Sequence, residues 1–364
     1  MVAHATQSPP LASLPLSDPA ALGLDPARIA RLCTVIEGHI AEGRYPGARI
    51  GAVAKAATAE TLWLLYSQTK MVTAAALWQL VDQGALSFAD RVADHLPEFA
   101  RFGKGEVTIF QLLTHQGGFP NAQVIPEVWS DHGRIREAMC DFTLEWTPGT
   151  QIIYHATAAH WVAAMLIEAR TGRDYRTVIR QDLLEPLGIG DLFVGVPPEA
   201  QARCADMHAL EDGRMTALPG NTSEERAAGV PGGGGYATAA AMAAFYQMLL
   251  AGGALNGVQV LSPRVVQYAT RNHSGERPDG PSGIAMHRGM TPATRGTTPT
   301  VRGLGTIASP ATFGHGGAGS SYSWGDPESG LSFTYLSNAR LADPWHSRRL
   351  DQVSTLVHAA LVDL

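Results

Sequence analysis

The stretch that decides the fold runs from Ser67 to Gln83 and reads SQTKMVTAAALWQLVDQ. It is rich in alanine and other good helix formers, and Gly84 follows it, a residue type that often ends helices. The sequence therefore predicts a helix whose first turn carries Ser67 and Lys70. Because residues three apart on a helix are neighbours, the Ser67 hydroxyl and the Lys70 amine are expected to share one face.

Lys70 is an unusual residue here, since only three of the 27 basic residues are lysines. Its neighbours in the predicted helix are apolar, so a charged amine there costs free energy unless it has a function. A lysine whose pKa is lowered can take the proton of a serine hydroxyl, whereas arginine keeps its own proton. We interpret Ser67 as a nucleophile and Lys70 as its base. The alternative is a helix cap followed by a solvated lysine.

The segments on either side of this helix predict a mixed α/β (α+β) fold. Apolar spacing and turn residues predict helices at 26–42, 110–113, 157–170, 175–184, 239–250 and 348–361. Short apolar runs predict strands at 48–54, 311–313, 320–324 and 331–336. We expect a flexible N-terminal arm (1–20), an α/β domain built from 21–66 and 235–364, and a mostly α-helical inserted domain (67–234).

Composition and charge exclude several classes of function. The net charge is -6, with no run of like charges, which argues against a nucleic-acid or anionic-membrane surface. No signal-like N-terminus and no apolar run long enough to span a bilayer are found, so a cytoplasmic location is expected. No HExxH or other clustered ligand set is present, and we therefore expect no metal and no cofactor. A small molecule is the expected partner, and the oligomeric state is left open.

Four motifs in fixed order carry a resemblance to a known family. Ser67-x-x-Lys70 is followed by VTIFQLLTH at 107–115, by Pro148-Gly149-Thr150 leading to Tyr154, and by His315-Gly316-Gly317. The ordered set resembles the class C β-lactamase and penicillin-binding-protein superfamily, and especially the family VIII carboxylesterases. The resemblance implies an antiparallel sheet flanked by helices, with an inserted all-α domain.

The resemblance also implies roles for individual residues. Tyr154 would pass a proton between Ser67 and the leaving group, and His315 would take the place of a lysine on the strand that borders the site. Gly316 and Gly317 would let substrate lie along that strand. The backbone N–H groups of Ser67 and Ala318 would form the oxyanion hole. Without the resemblance, Tyr154 is equally well interpreted as a core aromatic, and packing in a strand is the alternative for His315.

Three features depart from the family pattern. Ala156 stands where the family has an asparagine, and His315 stands where it has a lysine, which favours an ester over a lactam substrate. The interval between Gly51 and Ser67 is too short for the hairpin the family usually has there. Trp324 is expected to line the acyl pocket, with packing as the alternative.

The sequence thus predicts a serine hydrolase that forms an acyl-enzyme on Ser67 with a small ester or amide substrate. A carboxylesterase is the preferred interpretation. The alternatives are an acyltransferase of secondary metabolism, a β-lactamase or D-peptidase with the same site, and a non-catalytic penicillin-recognising scaffold.

Overall fold

The computed structural model describes residues 15–50, 58–211 and 214–362. Its α-helices, in chain order, are α1 (Pro26–Ala41), α2 (Thr69–Asp82), α3 (Val92–His95), α4 (Ile109–Leu113), α5 (His132–Cys140), α6 (Ala158–Thr171), α7 (Tyr175–Val178), α8 (Ser223–Ala228), α9 (Ala239–Leu250), α10 (Pro263–Thr270) and α11 (Trp345–His358). Its strands are β1 (Ala48–Ile50), β2 (Trp63–Leu64), β3 (Leu192–Val194), β4 (His208–Glu211), β5 (Arg214–Ala217), β6 (Gly235–Ala237), β7 (Ala254–Leu255), β8 (Val258–Gln259), β9 (Ala293–Thr294), β10 (Phe313–Gly316), β11 (Tyr322–Asp326), β12 (Leu331–Ser337) and β13 (Ala339–Arg340).

The main sheet is formed by both ends of the chain. Its strand order is β1-β12-β11-β10-β9, and every neighbouring pair is antiparallel. Helices α1 and α11 pack together, and their apolar residues share a core with the large side chains of β11 and β12. Helix α9 also packs against β11 and β12. This is the predicted antiparallel sheet flanked by helices, and the fold class is confirmed.

Helix α2 lies at the centre of the second, larger core. All of its residues from Thr69 to Leu80 are buried, which explains why the helix shows no polar face in the sequence. It packs against α6 and α10. The small side chains of its buried alanines let these neighbouring helices approach closely. Among the described residues, no helix has the length and apolar character needed to cross a bilayer.

Most predicted elements are present with shifted ends. The predicted helices at 26–42 and 239–250 match α1 and α9 closely. The strands predicted at 311–313 and 320–324 are both observed two to three residues later, and the first shares only Phe313 with β10. The prediction stopped short of Gly314–Gly316, which pair with β11 despite the low strand propensity of glycine. The last helix begins at Trp345, directly after Pro344, and not at 348.

Other predictions are only partly covered by the described residues. The predicted strand at 48–54 is observed as β1, and its residues 51–54 lie outside the described residues, as does most of the interval between Gly51 and Ser67. Of the predicted arm, residues 1–14 also lie outside. The 67–234 segment contains strands β3, β4 and β5 as well as helices, and the division into two domains stays a prediction.

Candidate active site

Ser67 lies where the small sheet β2-β6-β3 meets helix α2. The Leu65 N–H donates to the Gly235 carbonyl at 2.8 Å, which ties the end of β2 to β6. Tyr66 then adopts a positive φ of 45°, uncommon for a bulky residue and costly unless the surrounding structure holds it. Ser67 follows in a single 3₁₀ turn, Tyr66–Gln68, and is half-buried at the start of α2.

Lys70 is fully buried and contacts Ser67 directly. Its Nζ lies 2.9 Å from Ser67 Oγ and donates to the Gly232 carbonyl at 2.6 Å. A Cβ added to Gly232 would lie 3.5 Å from this Nζ, an ordinary contact distance. The predicted proximity of the hydroxyl and the amine is confirmed. The short distance places the proton of Ser67 within reach of a base.

Tyr154 lies in the extended segment before α6, with its ring beside Lys70. The Lys70 Nζ is 5.2 Å from the ring centroid, and the His315 ring centroid is 6.0 Å away. The Tyr154 hydroxyl is buried and has no hydrogen-bond partner among the described residues. Leaving a buried hydroxyl without a hydrogen-bond partner costs about 1–3 kcal/mol of folding free energy. A bound substrate that supplies a partner would recover part of that cost. The structure places the Tyr154 ring beside the Lys70 amine, while the phenol oxygen makes no hydrogen bond to Lys70 or Ser67.

Four buried histidines lie around Tyr154. His115 and His315 lie beside its ring, and His155 and His160 lie beside His115. Burial lowers the pKa of His155 to about 4 and that of His315 to about 3, and it lowers the pKa of His115 and His160 well below the usual value. The His115 ring centroid lies 4.7 Å from that of Tyr154, and His115 has a positive φ of 60°. All four imidazoles are therefore neutral at pH 7.

His315 cannot supply the positive charge of the lysine it replaces. Its Nδ1 donates to the Gly316 carbonyl at 2.9 Å, so Nε2 is left as an acceptor in the neutral ring. Burial, followed by the positive charge of Lys70, lowers the pKa of His315 to about 3. On the opposite face of β10, a Cβ on Gly316 would lie 2.9 Å from the ring of Tyr322.

The turn after β10 lies beside the turn that carries Ser67. A Cβ on Gly317 would lie 2.6 Å from the carbonyl oxygen of Leu65, and Gln68 Nε2 donates to Ser321 Oγ at 2.7 Å. Within the described residues, the backbone N–H groups of Ser67 and Ala318 have no hydrogen-bond partner. Ala318 is exposed in this turn. An oxyanion hole also requires that the two donors converge on one point, so the assignment of these N–H groups stays a prediction.

The expectation for Trp324 is wrong. Side chains alternate along a strand, and Trp324 points to the face that α11 covers, opposite to His315. It is fully buried there, its Nε1 donates to Ser354 Oγ at 3.0 Å, and its ring stacks on His358 at 4.3 Å. Trp324 is a core residue and does not line the site.

Sequence reasoning missed two residues that contact the site. The Gly232 carbonyl accepts from Lys70, and the glycine run at 232–235 was the available signal. The Arg288 guanidinium lies 5.3 Å from the Tyr154 ring centroid. The 133 positions between Tyr154 and Arg288 carry no pattern that joins them, so only the folded chain reveals this contact.

One group of metal-type ligands exists among the described residues. Ligand atoms of His132, Glu168 and Asp174 lie within 4.8 Å of one another. The Arg176 guanidinium already lies 2.5 Å from Asp174 Oδ2 and 3.2 Å from His132 Nε2. This arginine supplies the positive charge, so the group is an ion-pair network.

Comparisons with known proteins agree with this geometry. The family model described as Beta-lactamase matches residues 37–353, which is most of the chain. The chain belongs to the Beta-lactamase family. Esterase/beta-lactamase LipL of Mycobacterium tuberculosis is 28% identical over 324 residues, covering 79% of this chain and 71% of LipL.

Two solved structures of this family are similar along nearly the whole chain. A penicillin-binding protein homologue from Caulobacter crescentus is 29% identical with a TM-score of 0.78, and the match covers 93% of this chain and 99% of that chain. A family VIII carboxylesterase is 25% identical with a TM-score of 0.77 and the same coverage. The protein is thus a member of a serine hydrolase superfamily, as its motifs predict.

Proposed function

We propose that the protein is a carboxylesterase for small esters that forms an acyl-enzyme on Ser67. The observation that carries this proposal is the 2.9 Å contact between Lys70 Nζ and Ser67 Oγ, next to an unpaired, buried Tyr154 hydroxyl. A nucleophile, a base within hydrogen-bond reach and a third polar group beside the base are the parts needed for acyl transfer.

The proposed reaction has two steps. Ser67 Oγ attacks the ester carbonyl while its proton passes to the Lys70 amine, and the oxyanion accepts hydrogen bonds from the N–H groups of Ser67 and Ala318. The C–O bond to the alcohol then breaks, and Tyr154 delivers the proton that the leaving oxygen needs, with Lys70 restoring it. In the second step water attacks the acyl-enzyme and the bond from Ser67 Oγ to the acyl group breaks. The carboxylic acid is released, and one proton of the water returns to Ser67 Oγ.

Features around the site favour an ester over a lactam. Ala156 offers no side-chain amide, and the neutral His315 offers no cation to a substrate carboxylate. An ester needs only its carbonyl recognised and a good leaving group protonated, so these losses matter less for an ester. The similar protein LipL carries both esterase and beta-lactamase in its name, which supports testing the two activities side by side.

A substrate panel tests the proposal. Wild type and Ser67→Ala are assayed with a p-nitrophenyl short-chain ester, the matching p-nitroanilide and a chromogenic cephalosporin. Ser130→Ala, a change at an exposed serine, is the matched control. We expect the ester to be the best substrate and its turnover to fall at least ~10⁴-fold in Ser67→Ala only. Ester turnover at the wild-type rate in Ser67→Ala, or faster turnover of the cephalosporin than of the ester by wild type, would overturn the proposal.

A further inference from the structure

We propose that Arg288, held by Asp279, is a positioning residue that supplies a fixed positive charge beside the Tyr154 phenol during acylation. This inference rests on the proposed function. It assigns a role to an ion pair that belongs to none of the sequence motifs of the site.

The ion pair is buried against the Tyr154 ring. Arg288 Cζ lies 5.3 Å from the ring centroid, and one terminal nitrogen of Arg288 lies 2.8 Å from Asp279 Oδ2. The two side chains are only 9% and 8% exposed. A buried carboxylate that faces a guanidinium avoids the large cost of an unpaired buried charge, so each partner fixes the other in place.

The segment that carries this pair is anchored to the segment that carries Tyr154. The Gly280 N–H donates to the Ile152 carbonyl at 2.8 Å, two residues before Tyr154. Arg277 donates to Gln116 Oε1 at 2.7 Å and to the Gly149 carbonyl at 2.8 Å. These contacts fix the segment that carries Arg288 against the segment that carries Tyr154, so the fold itself sets the position of the guanidinium over the ring.

The charge has a clear use in the proposed reaction. When Tyr154 gives its proton to the leaving oxygen, it becomes a phenolate, and a nearby cation stabilises that negative charge. His115 and His315, which also face the ring, are neutral because burial lowers the pKa of each imidazole. Lys70 changes its proton count during the reaction, whereas a guanidinium stays charged throughout.

The test removes both charges of the pair at once. Arg288→Met/Asp279→Asn leaves no unpaired buried charge, and Arg288→Lys keeps a cation with fewer hydrogen bonds. The matched control is Arg203→Met/Asp191→Asn, which removes another arginine–aspartate pair with a 2.8 Å contact. Acylation is measured as the rate of the p-nitrophenol burst, alongside KM, the deacylation rate and Tm.

We expect the double variant to acylate ~10²-fold more slowly, with KM within about threefold of wild type and an unchanged burst in the control. Arg288→Lys should recover most of this loss, which a role in packing alone would not produce. A folded double variant with a normal burst, or an Arg288→Lys variant as slow as the double variant, would overturn the inference.

Arg288→Gln/Asp279→Asn decides the question if the methionine variant does not fold. It also leaves no unpaired buried charge and keeps polar side chains at both positions, so a slower burst at unchanged KM supports the inference and a normal burst contradicts it. Failure of the proposed function itself looks different, because wild type would then release no p-nitrophenol in a Ser67-dependent burst. All of these measurements therefore use a wild-type enzyme already shown to turn over the ester.

Discussion

Two lysines in the described part of the chain are fully buried, and they differ in what they contact. Lys70 Nζ contacts the Ser67 hydroxyl and the Gly232 carbonyl. Lys104 Nζ donates to the carbonyls of Cys140 and Phe142 and lies beside the rings of Phe99 and Phe102. Hydrogen bonds offset the cost of burying both amines, but only Lys70 has a partner that can lose a proton.

The comparison teaches that burial alone does not mark a catalytic lysine. Burial lowers the pKa of Lys104, yet this amine faces carbonyl oxygens, which only accept hydrogen bonds. Lys104 joins the loop after α3 to the end of α5, which is a structural role. The proposed role of Lys70 therefore rests on its contact with the Ser67 hydroxyl, and not on its burial in an apolar helix.

Replacing each lysine by methionine should separate the two roles most strongly. Lys70→Met is expected to lower the acylation rate at least ~10³-fold, because Ser67 loses its proton acceptor. Lys104→Met should keep the activity within about threefold of wild type and lower the free energy of unfolding by about 1–3 kcal/mol, because two buried carbonyls lose their donor. Burst kinetics and urea unfolding check the two effects. Equal losses of activity in both variants would break the comparison.

Two aromatic residues extend the same contrast to the sheet. Tyr154→Phe removes the buried, unpaired hydroxyl and is expected to lower kcat ~10²-fold with little change in stability. Trp324→Phe removes the contact with Ser354 and some packing against α11, so we expect lower stability and nearly normal kcat. Steady-state kinetics and Tm measurements on the two variants distinguish these outcomes. A large fall of kcat in Trp324→Phe would restore that residue to the acyl pocket.

Acid should destabilise the Lys70 region through its buried histidines. The folded state keeps His155 and His315 neutral down to about pH 4 and about pH 3, whereas the unfolded chain binds protons below about pH 6.5. The stability that these neutral rings contribute is present above pH 6.5 and is lost as the pH falls toward those values.

The expected slope is at most about 1.4 kcal/mol per pH unit for each histidine in this range. Urea unfolding between pH 7 and pH 4.5 measures it, with His155→Asn and His315→Asn as variants that should flatten the curve. A curve whose slope is the same in wild type and in both variants would contradict this account.

The sequence was a good guide where chemistry depends on local spacing. Ser67 lies in the 3₁₀ turn that leads directly into α2, three positions before Lys70, so their contact follows from local helical geometry. The strand that carries His315 is a weaker case, because the strand predicted at 311–313 shares only Phe313 with β10 and leaves His315 outside.

What the sequence could not predict depends on contacts between distant segments. Trp324 lies one strand position from the site face, and only the pairing of β10 with β11 shows that it points into the opposite core. Arg288 reaches Tyr154 because the segment around Gly280 pairs with Ile152. Such contacts arise from tertiary packing, which leaves no spacing pattern in one sequence.

Labelling with a fluorophosphonate tests the central claim most directly. Wild type, Lys70→Arg and Lys104→Arg are incubated with the reagent, and intact-mass and peptide mass spectrometry follow the adduct over time. The account predicts a single adduct on Ser67, formed ~10³-fold more slowly in Lys70→Arg and at the wild-type rate in Lys104→Arg. An adduct on another residue, or labelling of Lys70→Arg at the wild-type rate, would contradict it.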